Sequence, residues 1–161
     1  MTITIEPGFG AKEEIRALFQ EYTDMLCAAD PGMAGYLGQQ NYDEEIRHLE
    51  KKYGPPKGRL YLARVDGKPA GCVALHPLEG DTCELKRLYV RPEFRGHKLG
   101  RLLVDRIIED ARAEGYPCLL LDTLDFLKTA IALYREVGFY VSEPHLYSPM
   151  DCSVFMRKDL Q

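Results

Sequence analysis

The stretch Leu88-Tyr89-Val90-Arg91-Pro92-Glu93-Phe94-Arg95-Gly96-His97-Lys98-Leu99-Gly100-Arg101-Leu102-Leu103 decides the fold. An aromatic and β-branched strand ends at Pro92, and a short loop carrying Gly96 and Gly100 follows. A helix then starts, with Leu99, Leu102, Leu103, Ile107 and Ala111 recurring on one face until Gly115 stops it. After Pro117 the run Cys118-Leu119-Leu120-Leu121 is apolar without alternation, as in a strand covered on both faces. Residues 81–121 therefore read as strand, helix, strand, a right-handed parallel crossover.

Working outward, a helix is predicted from Phe126 to Val137, stopped by Gly138, with closing strands at Phe139–Val141 and Ser153–Arg157. On the N-terminal side, Thr2–Ile5 alternates like a short strand, and Ala11–Ala29 carries Ile15, Leu18, Phe19, Tyr22 and Met25/Leu26 at helical spacing. Met33–Gln40, with Gly35 and Gly38, reads as a loop, and Tyr42–Tyr53 as one polar helix. Asp66-Gly67 is a hairpin signal between strands Arg59–Val65 and Pro69–Leu75, and Asp81–Val90 is the strand that follows. The order β-α-α-β-β-β-α-β-α-β-β implies an α/β chain, antiparallel at first, with helices packed on one sheet. Its 161 residues suit a single domain, 1–161.

Hydrophobic residues make up 45% and charged residues 29%, the balance of a globular chain. No apolar run approaches a membrane span and the N-terminus lacks a signal-peptide pattern, so a cytoplasmic protein without membrane contact is expected. The net charge of −4 argues against nucleic acid as a partner. Yet residues 86–101 hold six cations and one anion, a local +5 that leaves −9 on the rest. The five cysteines are scattered and the histidines show no ligand spacing, so neither a disulfide framework nor a metal site is expected.

The local chemistry points to phosphate. A helix start offers backbone N–H groups without intrahelical partners and partial positive charge, and small residues let an anion approach them. Arg95, Lys98 and Arg101 add charge. The Walker pattern is absent, and so is G-x-G-x-x-G.

Arg95 to Gly100 resembles motif A of the GCN5-related N-acetyltransferases (GNAT), [QR]-x-x-G-x-[GA], with Lys98 where that family usually has its central glycine. Leu133-Tyr134-Arg135-Glu136-Val137-Gly138-Phe139 resembles its L-Y-x-x-x-G-F motif B. The resemblance runs along nearly the whole chain. It implies a mixed, largely antiparallel sheet of six to seven strands, flanked by about four helices, with two parallel strands splayed in the middle. It also implies acetyl-CoA (coenzyme A) as co-substrate and direct acetyl transfer to a primary amine of a small molecule, amino acid or peptide. Leu88, Tyr89 and Val90 would pair with the pantetheine arm, and the amides of Arg95, Gly96, His97, Lys98, Leu99, Gly100 and Arg101 would hold the pyrophosphate. Thr123 and Ala130 would line the same cleft. A side chain at 98 is expected to alter loop packing without abolishing binding.

Strict alternation from Cys83 would put Leu88 and Val90 on one face with Glu84 and Lys86, a mixture that a β-bulge would relieve. Tyr134, on the helix face with Leu127, Ala130 and Ile131, is the expected general acid; Glu84, on the preceding strand, is the candidate base, with a water path as the other route. Tyr36, Tyr42, His145, Tyr147 and Asp151 are candidates for the acceptor side. Two other readings stay open on sequence: a coenzyme-A-binding sensor without catalysis, and an acyltransferase for longer chains. The family also makes a homodimer a possibility.

Overall fold

The computed structural model describes residues 1–39, 41–146, 148 and 150–161, and only the backbone of Gln39. Seven strands form one sheet in the order β1-β2-β3-β4-β5-β7-β6. They are β1 (Ile3–Pro7), β2 (Arg59–Val65), β3 (Lys68–Pro77), β4 (Cys83–Val90), β5 (Cys118–Leu124), β6 (Tyr140–Val141) and β7 (Ser153–Asp159). Every neighbouring pair is antiparallel except β4 and β5. The turn between β2 and β3 needs two left-handed residues, which Asp66 (φ 51°) and Gly67 (φ 82°) supply.

Six α-helices cover the two faces: α1 (Lys12–Ala29), α2 (Met33–Gln39), α3 (Tyr42–Arg47), α4 (Leu49–Tyr53), α5 (Leu99–Ala113) and α6 (Lys128–Glu136). On one face Leu103, Val104, Ile107 and Ala111 of α5 pack on Val73, Leu75, Leu85, Leu119 and Leu121. Burying a side chain such as Leu103 or Ile107 is worth about 1.5–3 kcal/mol. On the other face Ile15, Leu18, Phe19 and Leu26 of α1 meet Leu60, Leu62, Cys72 and Ala74. No helix among the described residues is long and apolar enough to cross a membrane, and all five cysteines are free.

Three local expectations are corrected. Residues 33–39 are helical rather than a loop, because Met33, Tyr36 and Leu37 bury against α1 and α3 while Gly35 and Gly38 face open space. Packing of an apolar face outweighs glycine's weak helix propensity. The predicted helix at 42–53 breaks at His48 (φ −132°, ψ 65°), giving α3 and α4. Leu102 lies outside the buried face of α5, at 41% exposure, and Val104 and Ile108 take its place.

The feature that positions the site is the parallel pair. β4 and β5 are joined at Cys83↔Leu119 and Glu84↔Leu120 only, after which they diverge. Between β3 and β4 the register shifts where Cys72 faces Tyr89 but Ala74 faces Lys86, leaving an extra residue on β4. Arg87 there is left-handed, at φ 60°. The bulge expected from sequence is thus present: Leu88 and Val90 pack with the α5 core, while Tyr89 joins the α1 side.

Candidate active site

The loop leaving β4 makes a short 3₁₀ turn at Pro92–Phe94, then passes Gly96 at φ 90° and Lys98 at φ 60° before α5 begins. No side chain caps α5. The peptide N–H groups of residues 96–101 find no hydrogen-bond acceptor among the described residues. Six adjacent donors, a helix dipole and two residues bending the chain in the left-handed region form an anion cradle. The Arg101 side chain is engaged elsewhere, with Glu136 at 2.8 Å and Asp105 at 3.1 Å, so its peptide group is what it offers here.

Lys98 occupies the position where glycine is usual in the motif, and it does so by adopting glycine's backbone conformation with its side chain exposed. The left-handed region costs an L-residue about 1–2 kcal/mol, against about 0.5–1 kcal/mol of extra chain entropy for glycine. Lys98→Gly is therefore expected to leave the protein equally stable or more stable by up to about 1 kcal/mol, with coenzyme affinity retained. Denaturant unfolding and calorimetric titration check both parts. Gly100, by contrast, stands in a tight place: a Cβ there would lie 3.2 Å from Leu133 Cδ2 of α6, which would have to give way by a few tenths of an ångström.

From this cradle a cavity of about 870 Å³ runs between α5 and α6 to the wedge between β4 and β5. Leu88, Tyr89, Val90, Arg95, Gly96, Lys98, Leu99, Gly100, Arg101, Thr123, Ala130 and Tyr134 all line it. His97 and Glu84 do not. Past Glu84, β4 has no partner on its β5 side among the described residues, so the backbone of Leu88 and Val90 can take an added extended segment. Sequence reasoning missed Phe94, Phe126 and Lys128 in the wall. Phe126, an aromatic 36% exposed at a helix entry, was the readable sign.

Tyr134 sits at the inner end, where the large cavity meets a small one of about 40 Å³ walled by Tyr22, Leu88, Asp122, Thr123 and Tyr134 among others. Its ring packs on Phe139 at 5.6 Å, and the turn after α6 closes with Phe139 N–H donating to the Tyr134 carbonyl. Burial first, then the phenol of Tyr22 and the charge of Asp122, push the Tyr134 hydroxyl well above its ordinary value. It is a neutral proton donor at any physiological pH.

Glu84 is buried at the closed end of the wedge. It accepts a hydrogen bond from His145 Nε2 at 2.8 Å, with Lys86 Nζ at 3.6 Å. Burial pushes its carboxyl up, but that hydrogen bond and the positive charges outweigh burial and hold it at about 2. The ionised form therefore stabilises the fold above pH 4.5, the ordinary value, and that contribution is lost as pH falls toward 2. Glu84→Gln is expected to flatten the fall of melting temperature across this window, which acid-range thermal melts would register.

Of the acceptor-side candidates, Tyr36 is buried and donates to Asp122 Oδ2 at 2.7 Å. Tyr42 stacks under the Arg87 guanidinium and lines neither cavity. Asp151 is exposed, and Tyr147 lies outside the described residues. Glu84, Asp122 and His145 converge, with one ligand-type atom of each within 4.8 Å of the others. Asp122 was not legible beforehand, since the apolar run preceding it hides a charged residue at the same strand's open end.

A sequence profile of the acetyltransferase (GNAT) family matches residues 15–139. The chain belongs to this family. An uncharacterised N-acetyltransferase of Schizosaccharomyces pombe is 44% identical over 150 residues, covering 92% of this chain and 88% of that one. A GNAT acetyltransferase from Staphylococcus aureus superposes with a TM-score of 0.78 at 21% identity, covering 99% of this chain and all of that one. The PaiA N-acetyltransferase of Thermoplasma acidophilum, solved in complex with coenzyme A, gives 0.74 at 18% identity over 99% of each chain. The GNAT fold and the N-acetyltransferase activity expected from the two motifs are thereby established for this chain.

Proposed function

We propose that this N-acetyltransferase takes acetyl-CoA as donor and passes its acetyl group directly to a primary amine. The observation that carries the reading is the cradle of six N–H groups without internal partners, opening into the cavity that ends at Tyr134. The coenzyme A complex of the Thermoplasma acidophilum neighbour, of the same fold, is in keeping with it. In this reading residues 96–101 hold the diphosphate, whereas the Arg95 amide, expected from the sequence to join them, is spent on the Pro92 carbonyl at 3.3 Å; the β4 edge at Leu88 and Val90 orients the pantetheine arm, and Thr123 and Ala130 line its path. A peptide N–H near Tyr89 polarises the thioester carbonyl.

The amine nitrogen attacks the carbonyl carbon, an N–C bond forms and the C–S bond breaks. The Tyr134 phenol gives its proton to the departing sulfur and is restored by the N–H proton that the attacking nitrogen sheds as the amide forms. A carboxylate held at about 2 is a weak base, so the proton of the incoming ammonium leaves by water, with the negative charge of Glu84 favouring the cation beforehand. Coenzyme A is expected to raise the melting temperature, and a panel of amines is expected to release free thiol from acetyl-CoA. No thermal shift at millimolar coenzyme would remove the donor assignment.

A further inference from the structure

Two residues past the last rung joining β4 and β5, a lysine and an aspartate stand on the diverging strands: Lys86 and Asp122. Both line the small cavity, which shares Tyr22, Leu88, Thr123 and Tyr134 with the large one and so opens where the thioester must lie. Asp122 is fixed by the Tyr36 hydroxyl at 2.7 Å and shares the wall of the small cavity with Tyr22 and Tyr134. It therefore faces the point of reaction.

Lys86 is the unusual member. Its side chain is 93% buried (7% exposed), yet its ammonium donates no hydrogen bond to any described residue. The nearest carboxylate oxygen, Glu84 Oε1, stands at 3.6 Å, beyond hydrogen-bond reach, and Glu84 spends its other oxygen on His145. Its neighbour Arg87 shows what a settled buried cation looks like here, with Glu45 at 2.7 and 2.9 Å. The ammonium is thus a cavity-wall group whose three N–H donors can take a ligand's oxygens. The cavity it lines holds roughly three water-sized groups.

We infer that Lys86 and Asp122 form a site for a zwitterion, so that the acceptor is an amino acid whose carboxylate meets Lys86 and whose ammonium meets Asp122 beside the thioester. This rests on the amine-acetylating reading above and narrows it. An acceptor of this kind gives the Lys86 donors a carboxylate and Asp122 a counter-charge, and leaves no net charge added to the cleft. A simple cationic amine would satisfy Asp122 alone.

The test compares three matched acceptors: each common amino acid, its primary amide and the corresponding decarboxylated amine, each with acetyl-CoA, following thiol release. The amino acid of the best series is expected to exceed its amide and its amine at least tenfold in kcat/KM. Lys86→Met should collapse that ratio toward one, Lys86→Arg should keep most of it, and melting curves of both variants monitor folding. An amide or amine used as well as the amino acid, or a preference that survives Lys86→Met, overturns the zwitterion site while leaving the transferase reading intact. Absence of thiol release with all three acceptor types, in protein that coenzyme A still stabilises, overturns both.

Discussion

Tyr134→Phe is expected to lower kcat by about a hundredfold, at the lower end of what a positioned proton donor contributes, while KM for acetyl-CoA moves less than about twofold, since uniform binding is untouched. The phenyl ring retains the contacts with Phe139 and the wall of the cavity, so the binding surface survives. Only the O–H is lost. Burial keeps that phenol protonated, which makes it useless as a base and well suited to donate to a thiolate whose own conjugate acid is near 8.5 or above. Steady-state kinetics with both substrates, together with a melting curve, separate this from a packing defect. A kcat within threefold of the parent protein would refute the proton-donor role.

Glu45→Ala carries the largest expected effect on stability. Glu45 lies on α3, almost wholly buried, and its carboxylate receives Arg87 at 2.7 and 2.9 Å and Lys52 at 2.8 Å. Burial pushes its carboxyl up, but the two cations hold it well below the ordinary value. Truncation strands Arg87 as a buried, unpaired charge, a loss of about 3–5 kcal/mol. That is a large part of the roughly 5–15 kcal/mol that holds an ordinary domain together. For a chain of this length it corresponds to a fall in melting temperature on the order of 10 °C. Glu45→Gln, which keeps an acceptor oxygen, should fall between. The sign of the pH dependence follows: the parent protein has the full contribution above pH 4.5 and loses it on acidification, whereas the alanine variant shows no such term. Urea unfolding at neutral and acid pH measures both.

What the sequence disclosed depended on how local the cause was. The strand–turn–helix at 83–113 could be read because each signal sits beside its consequence: Pro92 ends the strand, Gly96 turns the chain and Leu103, Val104 and Ile107 pack beneath it. Arg87 shows the intermediate case. The mixed face pointed to a bulge nearby, but not to the left-handed arginine that forms it, whose side chain pairs with Glu45, 42 residues away. Helix α2 was missed for the same kind of reason, since its glycines speak against a helix while Tyr36 and Leu37 are buried by partners elsewhere in the chain. The motif residues of the cleft were legible, whereas Asp122 and Lys86 were not. A charged residue at a strand end looks like any surface residue until the neighbouring strand leans away from it.

The two rungs between Cys83–Glu84 and Leu119–Leu120 are all that stitch the four N-terminal strands to the three C-terminal ones within the sheet. The molecule is in this respect a book with two leaves and a short spine. Whatever extended chain lies along the open margin at Leu88 and Val90 works as a clasp across the leaves. Occupancy should then slow amide hydrogen exchange in β4 and β5 together, so that the protein stiffens most at this seam.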